Sequence, residues 1–240
     1  MLIRPGSTSA PEVLLVNRHR DTAFGSSYAF PGGVVEAEDE QLTHRCIGLV
    51  EDEARRRFGS DKPSLSYWVA ALRETFEETG ILLAQQGGLP VGARQVPQLL
   101  QSLRGGLRFT ALCDQHDLTL HLDEVHYVAH WVTPTVRTRR FDTRFFLAIW
   151  PPGQAVDLDT RELTESRWCT ASAALEQVAD GRLNVPRPTA VQLTWLAQFA
   201  TLEDVVCTSR DLHRSGIVRL LPVVLADDRV VLPGDADYPE

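Results

Sequence analysis

The chain has 240 residues, of which 43% are hydrophobic and 23% are charged, a balance typical of a folded protein with one large domain. Its formal net charge of −8 argues against a nonspecific nucleic-acid binder, which needs a basic surface to displace counterions. The N-terminus has no long apolar core before a cleavage site, and no later run reaches membrane-spanning length. We therefore expect a cytoplasmic protein with neither a membrane nor a nucleic acid as partner.

The first half of the chain predicts one strand and two helices. Residues 12–19 (EVLLVNRH) are apolar and partly β-branched, which predicts a buried strand. Residues 43–58 carry apolar side chains at helical spacing, and the glycine and proline of residues 59–63 end that pattern. A second helix begins near Ser64 or Ser66 and stops at Gly80.

The second half alternates strands and helices. Residues 85–120 read as a loop with short helices, while residues 125–132, 143–150 and 166–169 read as strands. Residues 171–179 and 189–199 have helical patterns, and residues 218–225 suggest a last strand. Mixed strands and helices without an internal repeat predict a layered α/β or α+β domain.

The second helix carries an acidic cluster. Glu74, Glu77 and Glu78 are three and four residues apart, so their carboxylates project from one side of a helix, while Leu72 and Phe76 offer a separate apolar stripe. Clustered carboxylates repel each other unless a cation screens them. A hard divalent cation such as Mg²⁺ or Mn²⁺ is the natural partner; the plain alternative is a solvated acidic face.

The sequence around this cluster resembles the Nudix hydrolase signature, G-x5-E-x7-R-E-U-x-E-E-x-G-U, in which U is a bulky apolar residue. RETFEETGI at residues 73–81 matches the second half, with Thr75 as the departure at the first U. Gly33 and Asp39 match the first half, with aspartate in place of glutamate. Residues 40–72, 33 in number, stand where the signature has seven.

A long insertion at this point is similar to that of a Nudix subgroup which includes coenzyme A diphosphatases. The stretches FPGGVVEAED, HWVTP and FDTRFFLA also resemble that subgroup, so the likeness spans about residues 12–200. It implies an α/β fold, the Nudix-type α/β/α sandwich around a mixed β-sheet. We expect a single Nudix hydrolase domain over 1–240, a helical insertion at about 40–66 and a C-terminal extension after about 200. The insertion is either a flap near the site or extra core.

The resemblance also implies an activity. It predicts divalent-metal-dependent hydrolysis of the diphosphate bond in a small-molecule nucleoside diphosphate derivative, with coenzyme A or acyl-CoA as the first guess. ADP-ribose and dinucleotides stay open, because the Gly-Gln pair often found before the Phe-Pro-Gly-Gly loop of CoA-cleaving relatives is absent from TAFGSSYAFPGG. A nucleotide sensor without catalysis and an enzyme damaged by the insertion are the remaining alternatives. Nudix enzymes are often dimers, so a homodimer is also expected.

Residue roles follow from the same resemblance. Metal binding falls to the side chains of Glu74, Glu77 and Glu78 and to the carbonyl of Gly32, and Arg73 orients a carboxylate. The catalytic base is sought in a later loop, at Glu162 or Glu165, with Glu124 as a weaker option. Substrate contacts are predicted from side-chain chemistry instead, because guanidinium groups bind phosphates and aromatic rings stack on bases. The alternatives are a solvated turn with strand-edge arginines for the basic cluster and a core position for the ring. The candidates are Arg137, Arg139, Arg140, Arg144, Arg18, Arg20 and Phe30.

Overall fold

The computed structural model describes residues 1–7, 9–19, 26–60, 62–134, 136, 140–225, 227 and 229–238. Helices alternate with strands along these ranges. The strands are β1 Leu2–Arg4, β2 Glu12–Arg18, β3 Tyr28–Ala29, β4 Cys46–Ile47, β5 Gln85–Gln86, β6 Leu89–Pro90, β7 Leu118–His121, β8 His126–Val132, β9 Asp142–Ile149, β10 Leu163–Thr170, β11 Arg219–Leu220, β12 Val223–Val224 and β13 Val230–Val231. The α-helices are α1 Glu51–Phe58, α2 Leu65–Thr79, α3 Val96–Arg104, α4 Phe109–Gln115, α5 Ala171–Ala179, α6 Arg187–Leu196 and α7 Leu202–Ser215, and the 3₁₀ helices are Asp39–Arg45 and Leu122–Glu124.

The central sheet is mixed. Its strand order is β10-β2-β1-β9-β8-β11, and β3 pairs with β2 outside this path. Strand β1 lies parallel to β9 and antiparallel to β2, while β8 and β9 are antiparallel neighbours. A smaller sheet, β4-β7-β5-β6, forms beside it.

Each face of the central sheet is covered by helices, as the alternation within β2 shows. Leu14 and Val16 pack with Phe76 of α2, whereas Val13 and Leu15 pack with apolar residues of α5 and α6 on the other face. Successive side chains of a strand point to opposite faces, so one short apolar strand serves both cores. The predicted α/β/α sandwich around a mixed sheet is therefore confirmed.

The predicted helix over residues 43–58 is wrong in its first half. The 3₁₀ helix Asp39–Arg45 and strand β4 precede α1, which begins only at Glu51. Gly48 explains the break: its φ is 85°, and a Cβ there would lie 2.3 Å from Oδ1 of Asp123. The chain must leave helical geometry at this close approach.

The segment between the two halves of the Nudix signature is part of the core. Leu42, Leu49 and Ala54 are buried and belong to the same apolar cluster as α2. Of the helices in the described part of the chain, none combines the length and apolar character needed to cross a membrane.

Candidate active site

Helix α2 positions the acidic cluster. Trp68, Leu72 and Phe76 are buried against the sheet, and Gly80 ends the helix in the left-handed region at φ 72° with its N–H bonded to the carbonyl of Phe76. The carboxylates are not a solvated face. The side chains of Glu74, Glu77 and Glu78 are 14%, 33% and 3% exposed.

Arg73 joins the two halves of the interrupted signature. Its Nε donates to Oδ1 of Asp39 at 2.8 Å, and its Nη2 donates to Oδ2 of the same carboxylate at 3.1 Å. Its Nη1 donates to Glu74 and to Glu77, both at 2.9 Å. One buried guanidinium therefore fixes two carboxylates of the helix and ties them to an aspartate 34 residues earlier.

The glycine loop closes over the same carboxylates. The backbone N–H of Gly32 donates to Oε2 of Glu78 at 2.8 Å. At Gly33 an added Cβ would lie 2.4 Å from the carboxylate carbon of Glu74. The second glycine of the loop is thus required by the close approach of a carboxylate that Arg73 holds in place.

A second arginine, Arg18, reaches the cluster from the end of β2. Its Nη2 donates to Oε1 of Glu78 at 2.7 Å and also to the carbonyl oxygen of Gly32. Arg18 follows Leu14 and Val16 at alternate positions of β2, so it points to the face that α2 covers. That alternation is the sequence signal that assigns Arg18 to this site. The structure does not describe Arg20.

Burial dominates the electrostatics of the cluster. Burial raises the pKa of Glu74 and of Glu77, although the charge of Arg73 opposes the shift. Burial likewise raises the pKa of Glu78 to about 7, against the charge of Arg18 and the hydrogen bond from Gly32. Excess negative charge in a partly desolvated position favours an additional cation.

The two candidate bases lie in different surroundings. Glu162 lies close enough for its charge to raise the pKa of both Glu74 and Glu78. The loop before it is tied to the end of α2, because the N–H of Asp159 donates to the carbonyl of Glu78 at 3.0 Å. Glu165 is 52% exposed on the antiparallel pair β10–β2 and lies 3.6 Å from Arg167. Of these two candidates, Glu162 is the one whose charge acts on carboxylates of the cluster.

Glu124, the weaker candidate for the base, ends the 3₁₀ helix Leu122–Glu124 directly before β8. Among the described residues, its side chain makes no hydrogen bond or ion pair with the carboxylate cluster.

The candidate substrate residues are dispersed. Arg144 donates to Asp142 at 2.9 Å and stacks over the rings of Tyr67 and Phe58 at 4.2 and 4.8 Å. Phe30 is 8% exposed and meets Phe145 edge-on. Both side chains are engaged in packing.

The other arginines of the basic cluster lie in the segment before β9. Arg140 is exposed and donates from Nε to the carbonyl of Thr133 at 3.3 Å. Arg137 and Arg139 lie outside the described residues.

A cavity of about 200 Å³ adjoins the cluster on the side of Glu77. Its walls include Arg73 and Asp39, and its rim carries Arg108 and Phe109 from the start of α4. Arg108 is 72% exposed and pairs with Glu38. Sequence reasoning did not single out Arg108, because a lone arginine in a loop carries no pattern.

The oxygen-only donor set fits a hard divalent cation. Burial raises the pKa of Glu78 to about 7, and a cation bound beside it would favour the charged carboxylate. Within the described ranges, no group of three or more His, Cys, Asp or Glu side chains is already arranged to hold a metal ion. Arg73 and Arg18 bind the carboxylates in that arrangement. The carboxylate oxygens are therefore chemically suited to a divalent metal ion, and in this structure they are bound by Arg73 and Arg18 instead.

A mixed sheet between helices, with a glycine loop packed on a carboxylate-bearing helix, is the arrangement of a Nudix hydrolase. The chain belongs to the family described as the NUDT19 Nudix domain, whose model matches residues 50–196. It is therefore an enzyme that hydrolyses a diphosphate bond, and enzymes of this class generally use divalent metal ions.

The relatives agree with this assignment. Acyl-coenzyme A diphosphatase NUDT19 of Homo sapiens is 34% identical over 99% of this chain and 75% of its own length. The protein of the same name from Xenopus laevis is 29% identical over 98% of this chain and 73% of its own length. A crystal structure of a NUDIX hydrolase from Alicyclobacillus acidocaldarius superposes with a TM-score of 0.69 at 28% identity, covering 86% of this chain and 92% of the other.

Proposed function

We propose that the chain hydrolyses the diphosphate bond of coenzyme A or an acyl-CoA, with Mg²⁺ or Mn²⁺ held by the acidic helix. The substrate class is supported by the names of its relatives, which are acyl-coenzyme A diphosphatases along nearly the whole chain. The main structural support for catalysis is the buried Arg73–Asp39 ion pair, because it brings the two halves of the Nudix signature together across the insertion.

The metal ligands in this proposal are the carboxylates of Glu74, Glu77 and Glu78 and the carbonyl oxygen of Gly32. When bound, a divalent cation supplies positive charge that offsets the charge of the diphosphate and lowers the pKa of a nearby water. Arg73 holds the carboxylates of Glu74 and Glu77 close together through its Nη1, which restricts their motion beside the substrate.

Proton transfer is assigned to Glu162. Its carboxylate accepts the proton of the attacking water, since it is the candidate whose charge acts on Glu74 and Glu78. Glu165 is kept as the second candidate. Glu162 would act from a loop that two backbone hydrogen bonds join to the end of α2, from Asp157 to Thr79 and from Asp159 to Glu78.

Substrate phosphates are assigned to arginine side chains. Arg137, Arg139, Arg140 and Arg144 remain the sequence-based candidates, and the exposed Arg108 beside the cavity joins them. Phe30 remains a candidate for stacking. A single domain over 1–240 with an insertion at about 40–66 and an extension after about 200, a cytoplasmic location and a homodimer also remain proposals.

A panel of diphosphates tests the proposal. The purified protein is incubated with coenzyme A, an acyl-CoA, ADP-ribose or a dinucleotide in Mg²⁺ or Mn²⁺, and the released monophosphates are separated by ion-exchange chromatography. We expect the CoA compounds to be cleaved with the highest kcat/KM. Faster cleavage of ADP-ribose or the dinucleotide would replace the substrate assignment. Binding without turnover would favour the sensor.

Two glutamine variants test the metal site in the same assay. Glu77→Gln removes a proposed ligand, and Glu176→Gln, on the exposed face of α5, is its matched control. We expect activity to fall at least about 100-fold in the first, the order of loss seen when one electrostatic catalytic group is removed, and to stay at the wild-type level in the second. Equal activities would contradict the role of Glu77.

A further inference from the structure

Arg18 binds two oxygens that the proposed function gives to the metal. Its Nη2 donates to Oε1 of Glu78 at 2.7 Å and to the carbonyl oxygen of Gly32. The arginine side chain is 20% exposed and the glutamate side chain 3%. The contact is therefore a largely buried ion pair rather than a solvent-exposed one.

Arg18 is the arginine partner of Glu78, whereas Glu74 and Glu77 are bound by Arg73. Arg73 binds Glu74 and Glu77, and within the described part of the chain it makes no hydrogen bond with Glu78. The hydrogen bonds found at Glu78 come from Arg18 and from the N–H of Gly32. A buried carboxylate that loses its charged partner is strongly destabilised. The guanidinium of Arg18 therefore supplies, at Glu78, the positive charge that a metal ion would otherwise supply.

Simultaneous binding of a metal ion and Arg18 to Oε1 of Glu78 and the carbonyl oxygen of Gly32 is electrostatically unfavourable. Each is positively charged, and both would share the same two oxygens at contact distance, where like charges repel. We propose that Arg18 is a positioning residue that holds Glu78 and the Gly32 carbonyl in the metal-free protein and releases both oxygens when a divalent cation binds. This inference rests on the proposed metal ligands.

Competition of this kind has a measurable sign. If Arg18 must leave before the ion enters, removing it strengthens metal binding and weakens the metal-free fold. A residue that merely supported the fold would weaken both or change only stability. Metal affinity therefore separates the two roles, independently of catalysis.

The test is a titration of the full chain with Mn²⁺, followed by calorimetry or by the paramagnetic resonance of the free ion. Arg18→Gln removes the charge, and Arg18→Lys keeps it without the planar fork of the guanidinium. Arg161→Gln is the matched control, because it removes one exposed charge from the neighbouring loop, where Arg161 pairs with Asp159.

We expect Arg18→Gln to lower the Kd for Mn²⁺ roughly tenfold, the order that a charge-assisted hydrogen bond contributes. Arg18→Lys should tighten binding less, and Arg161→Gln should leave Kd unchanged. Without metal, Arg18→Gln should melt at a lower temperature than wild type, and saturating Mn²⁺ should raise its Tm by more. Circular dichroism checks folding, and Arg18→Lys decides the matter if the glutamine variant does not fold.

Two kinds of failure are distinguishable. Wild-type binding of Mn²⁺ with unchanged or weaker binding by both Arg18 variants overturns this inference and leaves the metal site intact. Equal tightening by Arg161→Gln shows a general charge effect and overturns it as well. Absence of Mn²⁺ binding by wild type and variants alike overturns the proposed metal site together with the role of Arg18.

Discussion

Replacing the buried Asp39 by asparagine should lower the free energy of unfolding far more than the same change at a solvent-exposed aspartate. Asp39 is 1% exposed and accepts two hydrogen bonds from Arg73 at 2.8 and 3.1 Å. Breaking a buried ion pair from one side costs about 3–5 kcal/mol. Arg73 keeps the carbonyl of Val34 and two carboxylates as partners, so we expect a loss near the lower end, about 3 kcal/mol.

The measurement is urea denaturation followed by tryptophan fluorescence, with the free energy of unfolding taken from the midpoint at a shared slope. Asp180→Asn is the matched control, because its pair with Arg182 is short at 2.6 Å but both side chains are more than half exposed. We expect the control to lose less than about 1 kcal/mol. If Asp39→Asn loses no more than the control, the buried pair does not join the two halves of the signature.

Three further predictions concern the loop, the base and the C-terminal helix. Gly33→Ala should lower both Tm and, at least about tenfold, kcat/KM, since the new methyl displaces the carboxylate of Glu74 from its buried pair with Arg73. Gly92→Ala, whose nearest contact is 3.5 Å away, should change neither quantity. Glu162→Gln should lower kcat by about 100-fold or more, and a larger loss in Glu165→Gln would reverse the assignment. Burial lowers the pKa of His213 to about 3, so protons bind first to the unfolded chain as pH falls below the ordinary histidine value. Unfolding free energy should therefore drop by up to about 1.4 kcal/mol per pH unit between pH 6 and 4; an equally steep drop in His213→Asn would refute this.

The carboxylate helix was predictable because its signals are local. The start near Ser64, the stop at Gly80 and the spacing of the glutamates can all be read from residues within one helix, and α2 runs over Leu65–Thr79. The match of Gly33 and Asp39 to the first half of the signature also pointed to the right partners. What spacing alone could not show is that Arg73 would lie between them, since that contact joins residues far apart in sequence.

The substrate residues were harder to predict for a physical reason. Arg144 and Phe30 have the side chains that phosphates and bases require, but the same side chains also stack on aromatic rings in a core. The structure shows Arg144 over Tyr67 and Phe30 against Phe145. Composition gives the chemistry of a side chain, whereas the neighbours that engage it are set by the tertiary fold.

Helix α7 was missed, although its first turn carries a signal. Thr201 accepts a hydrogen bond from the N–H of Asp204 at 3.1 Å, the usual capping contact at the start of a helix. The helix then docks on β8, where the N–H of Tyr127 donates to Nδ1 of His213 at 3.0 Å. Helix α7 has no clear apolar stripe to predict it from sequence, because two of its three buried residues, Ser209 and His213, are polar.

The long interruption of the signature is tolerated because a side-chain contact, and not chain continuity, places Asp39 beside the helix. Lengthening a loop from seven to 33 residues raises the entropic cost of closure by only about 1.4 kcal/mol. Leu42 and Leu49 of the inserted segment are 1% and 4% exposed, and burial of each such side chain contributes about 1.5–3 kcal/mol. The insertion thus offsets its own closure cost by joining the core of α2. The geometry of the carboxylates then depends on the Arg73–Asp39 pair, which is why substitution of Asp39 tests the site more directly than shortening the insertion.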